Sequence, residues 1–233
     1  RPFVTASTSM IGCMIVLLAP ELIEVQVLIP PAACPGTYDL RPSDAAKLAK
    51  SALFIRHDYQ SYLDRRFREQ NRNIRLAVLD TPGHLLVPRN FLAALDQLKG
   101  ILIRRFPALG DSIEKNAAAA EKYVLAAGEA ARLRFESAGM ARKTALCSDK
   151  QAGFALWAGV KAAGTFSNSP EELSALRLGQ IIQTARDSRA QFIVGNLQSG
   201  GEKVALSLAG QTGLPVCILS NFPGTNERNK DWA

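Results

Sequence analysis

Imidazole and thiol side chains, which are ligands for transition-metal ions, follow several apolar runs in this sequence. The chain has only two histidines and four cysteines. His57 and His84 each lie shortly after an apolar run, and Cys34 and Cys147 lie in or beside loops that leave such runs. Open parallel sheets keep their ligands at the carboxyl ends of their strands. These four residues are therefore candidates for contact with a metal ion or a small solute.

The same residues also have structural interpretations. A lone loop histidine such as His57 is typical of a solvent-exposed side chain, and alternation along residues 143–148 favours burial of Cys147 as much as exposure. Cys13 and Cys217 lie inside apolar runs, which predicts buried and inert thiols. Sequence alone does not choose among the three pairings that four cysteines allow.

Short apolar strands alternate with helical segments in the first and last parts of the chain, which predicts parallel strands joined by right-handed crossovers. The predicted strands are residues 3–7, 25–29, 52–55, 74–79, 143–148, 161–166, 191–194 and 216–219. Helical periodicity continues from Pro88 to about Ser137, with a break near residues 107–110. We therefore expect an α/β fold with two lobes, residues 1–108 and 139–233, each a mainly parallel sheet flanked by helices. One long interlobe helix over residues 109–138 should join them.

Composition excludes several classes of protein. The net charge is +7, but Lys and Arg are scattered with few aromatic residues among them, so we expect no nucleic-acid partner. No run of 18 apolar residues is present, so no segment is expected to span a membrane. The chain opens on Arg1 rather than Met. We therefore expect an exported protein whose signal has been removed, with a lipid anchor at the missing N-terminus as an open alternative.

Several segments carry a resemblance to a known family. Tyr38 precedes Leu-Arg-Pro-Ser-Asp at residues 40–44, residues 80–84 read Asp-Thr-Pro-Gly-His, and Ser148 and Asp149 follow a predicted strand. The order of these segments, with the two lobes and the long helix, resembles the zinc/manganese-type solute-binding proteins of bacterial ABC importers (the cluster A-I family). The resemblance covers nearly the whole chain.

The resemblance also implies where metal ligands belong. The first, second and third ligand positions hold Gly36, His84 and Ser148, and the fourth holds Ser220 or Asn221. A further acidic position holds Gly195. Only His84 is a good metal donor among these residues. The resemblance therefore implies a degenerate metal site.

Two thiols lie beside the degenerate positions. Cys34 is two residues before Gly36, and Cys147 is one residue before Ser148. If both thiols face the interlobe cleft, His84, Cys34 and Cys147 form a set suited to zinc or a softer ion such as copper(I). A Cys34–Cys147 disulfide is the alternative use of these thiols.

The resemblance implies an extracytoplasmic or periplasmic solute-binding protein that delivers cargo to a membrane permease and its ATPase. We expect a monomer, one transition-metal ion as cargo, no organic cofactor and no enzymatic activity. The remaining candidates for the cleft are Thr37, His57 and Asp149. A Gly-rich segment at residues 195–203 lacks the Lys spacing and hydroxyl of a nucleotide-binding loop.

Two alternatives keep the same fold. In one, a small polar or anionic solute is held by backbone amides near Gly36 and Gly195, with Arg41, Arg56 or His84 supplying charge. In the other, the protein is an adhesin or scaffold without a working metal site.

Overall fold

The structure is a computed structural model that describes residues 1–70, 75–169, 171 and 173–224. The chain forms two compact units. Unit 1 consists of residues 1–125 together with the chain from Phe222, and unit 2 consists of residues 126–221. The sequence-based domain limits at 108 and 138 stay predictions. The polar tail predicted from residue 223 lies, from residue 225 on, outside the described residues.

Unit 1 is built on one four-stranded sheet. Its strands are β1 (Phe3–Ala6), β2 (Glu24–Val27), β3 (Leu53–His57) and β4 (Leu76–Leu79). They lie in the order β2-β1-β3-β4, and every pair is parallel. The helices are α1 (Ser9–Leu18), α2 (Pro42–Ala49), α3 (Leu63–Gln70), α4 (Pro88–Arg105) and the first part of α5 (Gly110–Ser137).

Alternation along the strands gives this sheet two buried faces. In β3, Leu53 and Ile55 join the cluster formed with α1 and α4, whereas Phe54 joins the cluster on the opposite face. The ring of Phe54 lies 4.0 Å from that of Phe67 on α3. A parallel strand covered on both faces is apolar throughout. In β3 the polar residues Arg56 and His57 accordingly fall at the end of the strand.

Unit 2 repeats this plan. Its strands are β5 (Thr144–Ser148), β6 (Lys161–Phe166), β7 (Phe192–Asn196) and β8 (Val216–Leu219), and its helices after α5 are α6 (Ala152–Trp157), α7 (Ala175–Asp187) and α8 (Gly201–Thr212). The strand order is β6-β5-β7-β8, again all parallel. The predicted fold class of two mainly parallel sheets flanked by helices is confirmed.

The core of unit 2 is also divided by its sheet. Leu146, Ile193 and Phe166 pack with α7 and α8 on one face, and Ala145 and Val194 pack with α6 on the other. The helix α7 begins at Ala175, after the capping Ser174, and the start predicted at residue 170 lies outside the described residues.

The long helix α5 follows from its sequence. It has 28 residues, an acidic residue in its first turn and a run of alanines, the residue with the highest helix propensity. Gly139 follows its end with φ 68°, the left-handed conformation that glycine adopts without strain. None of the described helices is both long and apolar enough to cross a membrane.

Candidate functional site

Gln60 joins three loops at the carboxyl end of the unit 1 sheet. Its Oε1 atom accepts hydrogen bonds from the Ser7 hydroxyl at 2.6 Å and from the His57 backbone N–H at 3.0 Å. Its Nε2 atom donates to the carbonyl of Pro35 at 3.1 Å. These bonds hold together the loops after β1, β2 and β3. The edge where the sequence predicts ligands is therefore a real meeting point of polar loops in unit 1.

His57 lies at this edge but is wholly buried. Its Nε2 atom lies 2.9 Å from the Thr8 hydroxyl, and its Nδ1 atom lies 3.1 Å from the Thr81 hydroxyl. Desolvation lowers the pKa of His57 to about 4, although the nearby charge of Asp58 opposes this shift. The expectation of a solvent-exposed loop histidine is wrong, because two threonine hydroxyls hold this ring as a neutral core group.

His84 follows β4 on a loop and is half-buried. The backbone N–H of Leu86 donates to its Nδ1 atom at 3.2 Å. A backbone N–H can only donate, so Nδ1 is the acceptor and the proton of the neutral ring lies on Nε2. A metal ligand needs a lone pair on the coordinating nitrogen. In this position, His84 would coordinate an ion through Nδ1 only after releasing the bond from Leu86.

The loop after β2 carries the other unit 1 candidates. Cys34 is half-buried, and Gly36 and Thr37 are exposed. The following Tyr38 is buried and donates its hydroxyl to the carboxylate of Asp44 at 2.9 Å. Gly36 and Thr37 are accessible, but neither supplies a side-chain nitrogen, thiolate or carboxylate.

Cys147 lies in the core of unit 2. Its side chain is wholly buried against Ala155 and Val160 on the α6 face of the sheet, and this burial raises the pKa of the thiol to about 11. The sequence-based hypothesis required an outward-facing thiol, and alternation along β5 turns it inward instead. Cys147 also has a free thiol, so the Cys34–Cys147 disulfide is not formed.

Gly195 is also a packing position. A Cβ atom at Gly195 would lie 2.6 Å from Ala205 and 2.6 Å from Ile218, so the close approach of α8 requires glycine there. A carboxylate at this position would enter the apolar core rather than a ligand site. The prediction that Cys217 is buried is wrong. Its thiol is exposed, because β8 is an edge strand of the sheet.

The carboxyl ends of β5, β7 and β8 meet in a network of amide side chains. The Oδ1 atom of Asn196 accepts from Gln151 at 2.8 Å and from Asn221 at 2.9 Å. Gln151 also donates to the Oδ1 atom of Asn221 at 2.9 Å. Gln198 donates to the Ser220 hydroxyl at 2.9 Å and accepts from the Asn221 backbone N–H at 3.2 Å. The residues at the fourth ligand position, Ser220 and Asn221, are thus engaged with neighbouring amides.

Ser148, at the third ligand position, is wholly buried. Its hydroxyl donates to the Oδ1 atom of Asn168 at 2.6 Å and accepts from the Lys150 backbone N–H at 3.1 Å. The neighbouring Asp149 is 42% exposed at its side chain and pairs with Lys150 at 3.4 Å. Ser148 therefore acts in the structure as a hydrogen-bonding group of the strand end.

Four residues of this network were not among the predicted candidates. Gln151, Asn168, Asn196 and Gln198 each follow or end a strand of unit 2 and are at most 3% exposed. The position of an amide just after an apolar run was the available signal. It is the same signal that singled out the histidines and cysteines.

These residues do not form a chelating cluster. No group of three or more His, Cys, Asp or Glu side chains is placed to hold a metal ion within the ranges that the structure describes. In unit 2, the polar side chains at the strand ends are mainly neutral amides and hydroxyls. Such groups hold transition metals weakly compared with thiolate, imidazole or carboxylate.

Two parallel four-stranded sheets of matching strand order, each with polar groups at its carboxyl edge, define the class of α/β proteins that bind ligands at their strand ends. The family model described as "Zinc-uptake complex component A periplasmic" (ZnuA) matches residues 4–233. The chain belongs to this family. Members are periplasmic or extracellular solute-binding proteins, not enzymes, and work with the permease and ATPase of an ABC transporter.

Solved structures share the fold at low identity. A crystal structure of ZnuA has a TM-score of 0.80 and 20% identity, covering 95% of this chain and 92% of that chain. A mutant of the laminin-binding adhesin Lmb from Streptococcus agalactiae has a TM-score of 0.79 and 20% identity, covering 98% and 93%. The Mn-bound periplasmic metal-binding protein from Candidatus Liberibacter asiaticus has a TM-score of 0.77 and 15% identity, covering 100% and 94%. No curated protein matches the sequence.

Proposed function

We propose that this protein is the extracytoplasmic solute-binding component of an ABC importer and delivers its cargo to a permease and ATPase. The family match over residues 4–233 carries this proposal. It is supported by the polar loops that meet at the carboxyl edge of each sheet, where proteins of this architecture bind ligands. We expect the protein to act as a monomer.

A transition-metal ion of the zinc and manganese class is the first candidate cargo. It is supported by similar structures with zinc or manganese bound and by the histidine at the second ligand position, His84. Binding of one ion by His84, Cys34 and Cys147 would require two conformational changes. His84 must release the Leu86 N–H, and Cys147 must leave an apolar core.

A small polar solute is the second candidate cargo. It is favoured by the amide network of unit 2, which includes Asn221, a residue at the position where the resemblance implies a carboxylate ligand. Amides and hydroxyls recognise neutral or anionic solutes through hydrogen bonds and do so without a metal.

Metal content separates the two cargo classes. The protein is purified under reducing conditions, dialysed against Zn²⁺ or Mn²⁺, and analysed for bound metal. Stoichiometric metal that is lost in both His84→Ala and Cys147→Ser, but kept in the exposed-thiol control Cys217→Ser, supports the thiol and imidazole set. Metal bound equally by all variants contradicts that set. An absence of bound metal favours the polar solute, or the adhesin or scaffold alternative.

The transport role has its own test. A permease and an ATPase of a zinc- or manganese-type ABC importer from the same organism are reconstituted in proteoliposomes, and ATP hydrolysis is measured with and without the protein. Stimulation of hydrolysis by the protein supports the importer role. An unchanged rate at saturating protein contradicts it, whatever the cargo.

A further inference from the structure

Asn168 lies against the beginning of helix α8. A Cβ atom at Gly201, the first residue of α8, would lie 2.6 Å from the Oδ1 atom of Asn168 and 2.6 Å from the backbone carbonyl of Asn196. No side chain larger than hydrogen fits between them. The sequence therefore uses glycine to bring the start of a 12-residue helix next to a buried carboxamide.

Among the residues that the structure describes, none supplies a hydrogen-bond partner for the Nδ2 atom of Asn168. Asn168 is only 3% exposed, and its Oδ1 atom already accepts from the Ser148 hydroxyl at 2.6 Å. A buried donor without an acceptor is unfavourable and rare in native proteins. This atom requires an acceptor that the described protein atoms do not supply.

The surrounding groups show which kind of acceptor fits. The N–H groups of Gly201, Lys203 and Val204 already donate to Gln198 or Gly200. The donor that lacks an acceptor beside this helix start, among the described residues, is therefore the Nδ2 atom of Asn168 rather than one of these backbone groups. The helix dipole adds partial positive charge here. The exposed side chains of Glu202 and Lys203, in the same turn, have opposite charges. An oxygen atom, neutral or anionic, suits this setting better than a cation.

We propose that Asn168, beside the first turn of α8, binds an oxygen acceptor of a small polar solute, such as a carbonyl, a carboxylate or an inorganic oxyanion. This inference rests on the proposed solute-binding role, with a small polar solute rather than a metal ion as the cargo. The Ser148 hydroxyl, which also accepts from the Lys150 backbone N–H, holds the carboxamide of Asn168 in place. Asn168 is thus the contact residue, and Ser148 is a positioning residue.

The test follows the Asn168 side chain by NMR. Protein labelled with ¹⁵N is titrated separately with inorganic phosphate, sulfate, acetate and free glycine, and affinities are measured by calorimetry. The expected result is a saturable shift of the Asn168 side-chain amide signals with at least one probe. Phosphate or sulfate alone would identify an oxyanion site, and acetate or glycine a carboxylate site. No shift with any probe, or a non-saturating shift from an adventitious ion only, overturns the proposal.

Asn168→Asp provides the sharpest variant. It keeps an acceptor for the Ser148 hydroxyl but replaces the donating Nδ2 atom by oxygen, so affinity should fall at least tenfold. Gln180→Glu, an exposed amide on α7 of the same unit, adds the same charge and should bind as the wild type does. Equal affinity of Asn168→Asp and the wild type overturns the proposal. If the variant does not fold, the titration of the wild type alone tests the proposal. A failure of the importer role would be seen separately, in the proteoliposome assay. The stimulation of ATP hydrolysis depends on the permease and ATPase and not on the Asn168 contact.

Discussion

The Nε2 atom of His57 lies 2.9 Å from the hydroxyl oxygen of Thr8, inside a site with no solvent exposure. The pKa of this histidine is lowered to about 4 by burial, whereas an unfolded histidine titrates near 6.5. Between these values the unfolded chain binds a proton that the folded chain does not. The free energy of unfolding should therefore fall as the pH drops from about 6.5 to 4, by up to about 3 kcal/mol.

Urea denaturation at several pH values measures this loss. The pH dependence in this window should be smaller in His57→Gln, which removes the titrating ring, although the variant is less stable at neutral pH. His84→Gln keeps the buried histidine and should keep the wild-type slope. Equal slopes in the wild type and His57→Gln would show that His57 does not cause the effect.

The amide network predicts a large effect from one truncation. Asn196→Ala removes the acceptor of Gln151 and Asn221 and the donor to the carbonyl of Gln198 at 2.9 Å. Because buried polar groups are left without partners, we expect a loss of about 2 to 4 kcal/mol in unfolding free energy. Gln180→Ala, at an exposed amide, should change stability by less than about 0.5 kcal/mol. Comparable melting temperatures for both variants would contradict a structural role for the network.

The fold was accessible from sequence because apolar runs and their spacing determine burial. All eight strands were predicted within a few residues, and the helix from Ser9 to Leu18 was predicted with its observed limits. The alternation of strands and helices also predicted parallel pairing, which both sheets show, although it did not predict the order of the strands. Local pattern and tertiary structure agree in these elements.

The candidate site was predicted less well, because the direction of a side chain depends on its neighbours. Cys147 and Ser148 are adjacent, yet one enters the α6 face and the other turns to Asn168. Gly195 was considered as a lost ligand, but the approach of Ala205 determines that glycine. Asn196 comes at the end of an apolar run, but its partners Gln151 and Asn221 are distant in sequence, so the network became visible only in three dimensions.

Thiol reactivity distinguishes the buried cysteine from the exposed one. Burial raises the pKa of Cys147 to about 11, and its sulfur has no solvent access. Cys217 is exposed on an edge strand, although partial burial also raises the pKa of its thiol. Iodoacetamide at pH 8 should therefore modify Cys147 at least tenfold more slowly than Cys217. Peptide mass spectrometry gives the two rates, and the same reaction in denaturant should bring them together. Rapid labelling of native Cys147 would contradict its burial in the core and would support the hypothesis that its thiol is a metal ligand.

Arg56 and Asp64 form a two-pronged ion pair beside the unit 1 edge. The Nε atom of Arg56 lies 2.6 Å from Oδ1 of Asp64, and its second terminal nitrogen donates to Oδ2 at 2.7 Å. Arg56 is 5% exposed and also donates to the carbonyl of His57 at 2.8 Å. The guanidinium thus fixes the end of β3 to the start of α3. Removing one partner leaves a buried charge without its counterion, which typically costs about 3 to 5 kcal/mol.

Asp64→Ala should therefore lower the unfolding free energy by about 3 to 5 kcal/mol. Arg56→Met should cost less, since it removes the buried charge itself. Asp149→Asn is the matched control, because its pair with Lys150 is largely exposed and such pairs contribute about 0 to 1 kcal/mol. Urea denaturation of the three variants gives the order of effects. A loss in Asp64→Ala no larger than in Asp149→Asn would mean that solvent reaches Arg56. The end of β3 would then be held by the hydrogen bonds of His57 to Gln60, Thr8 and Thr81, without a contribution from the ion pair.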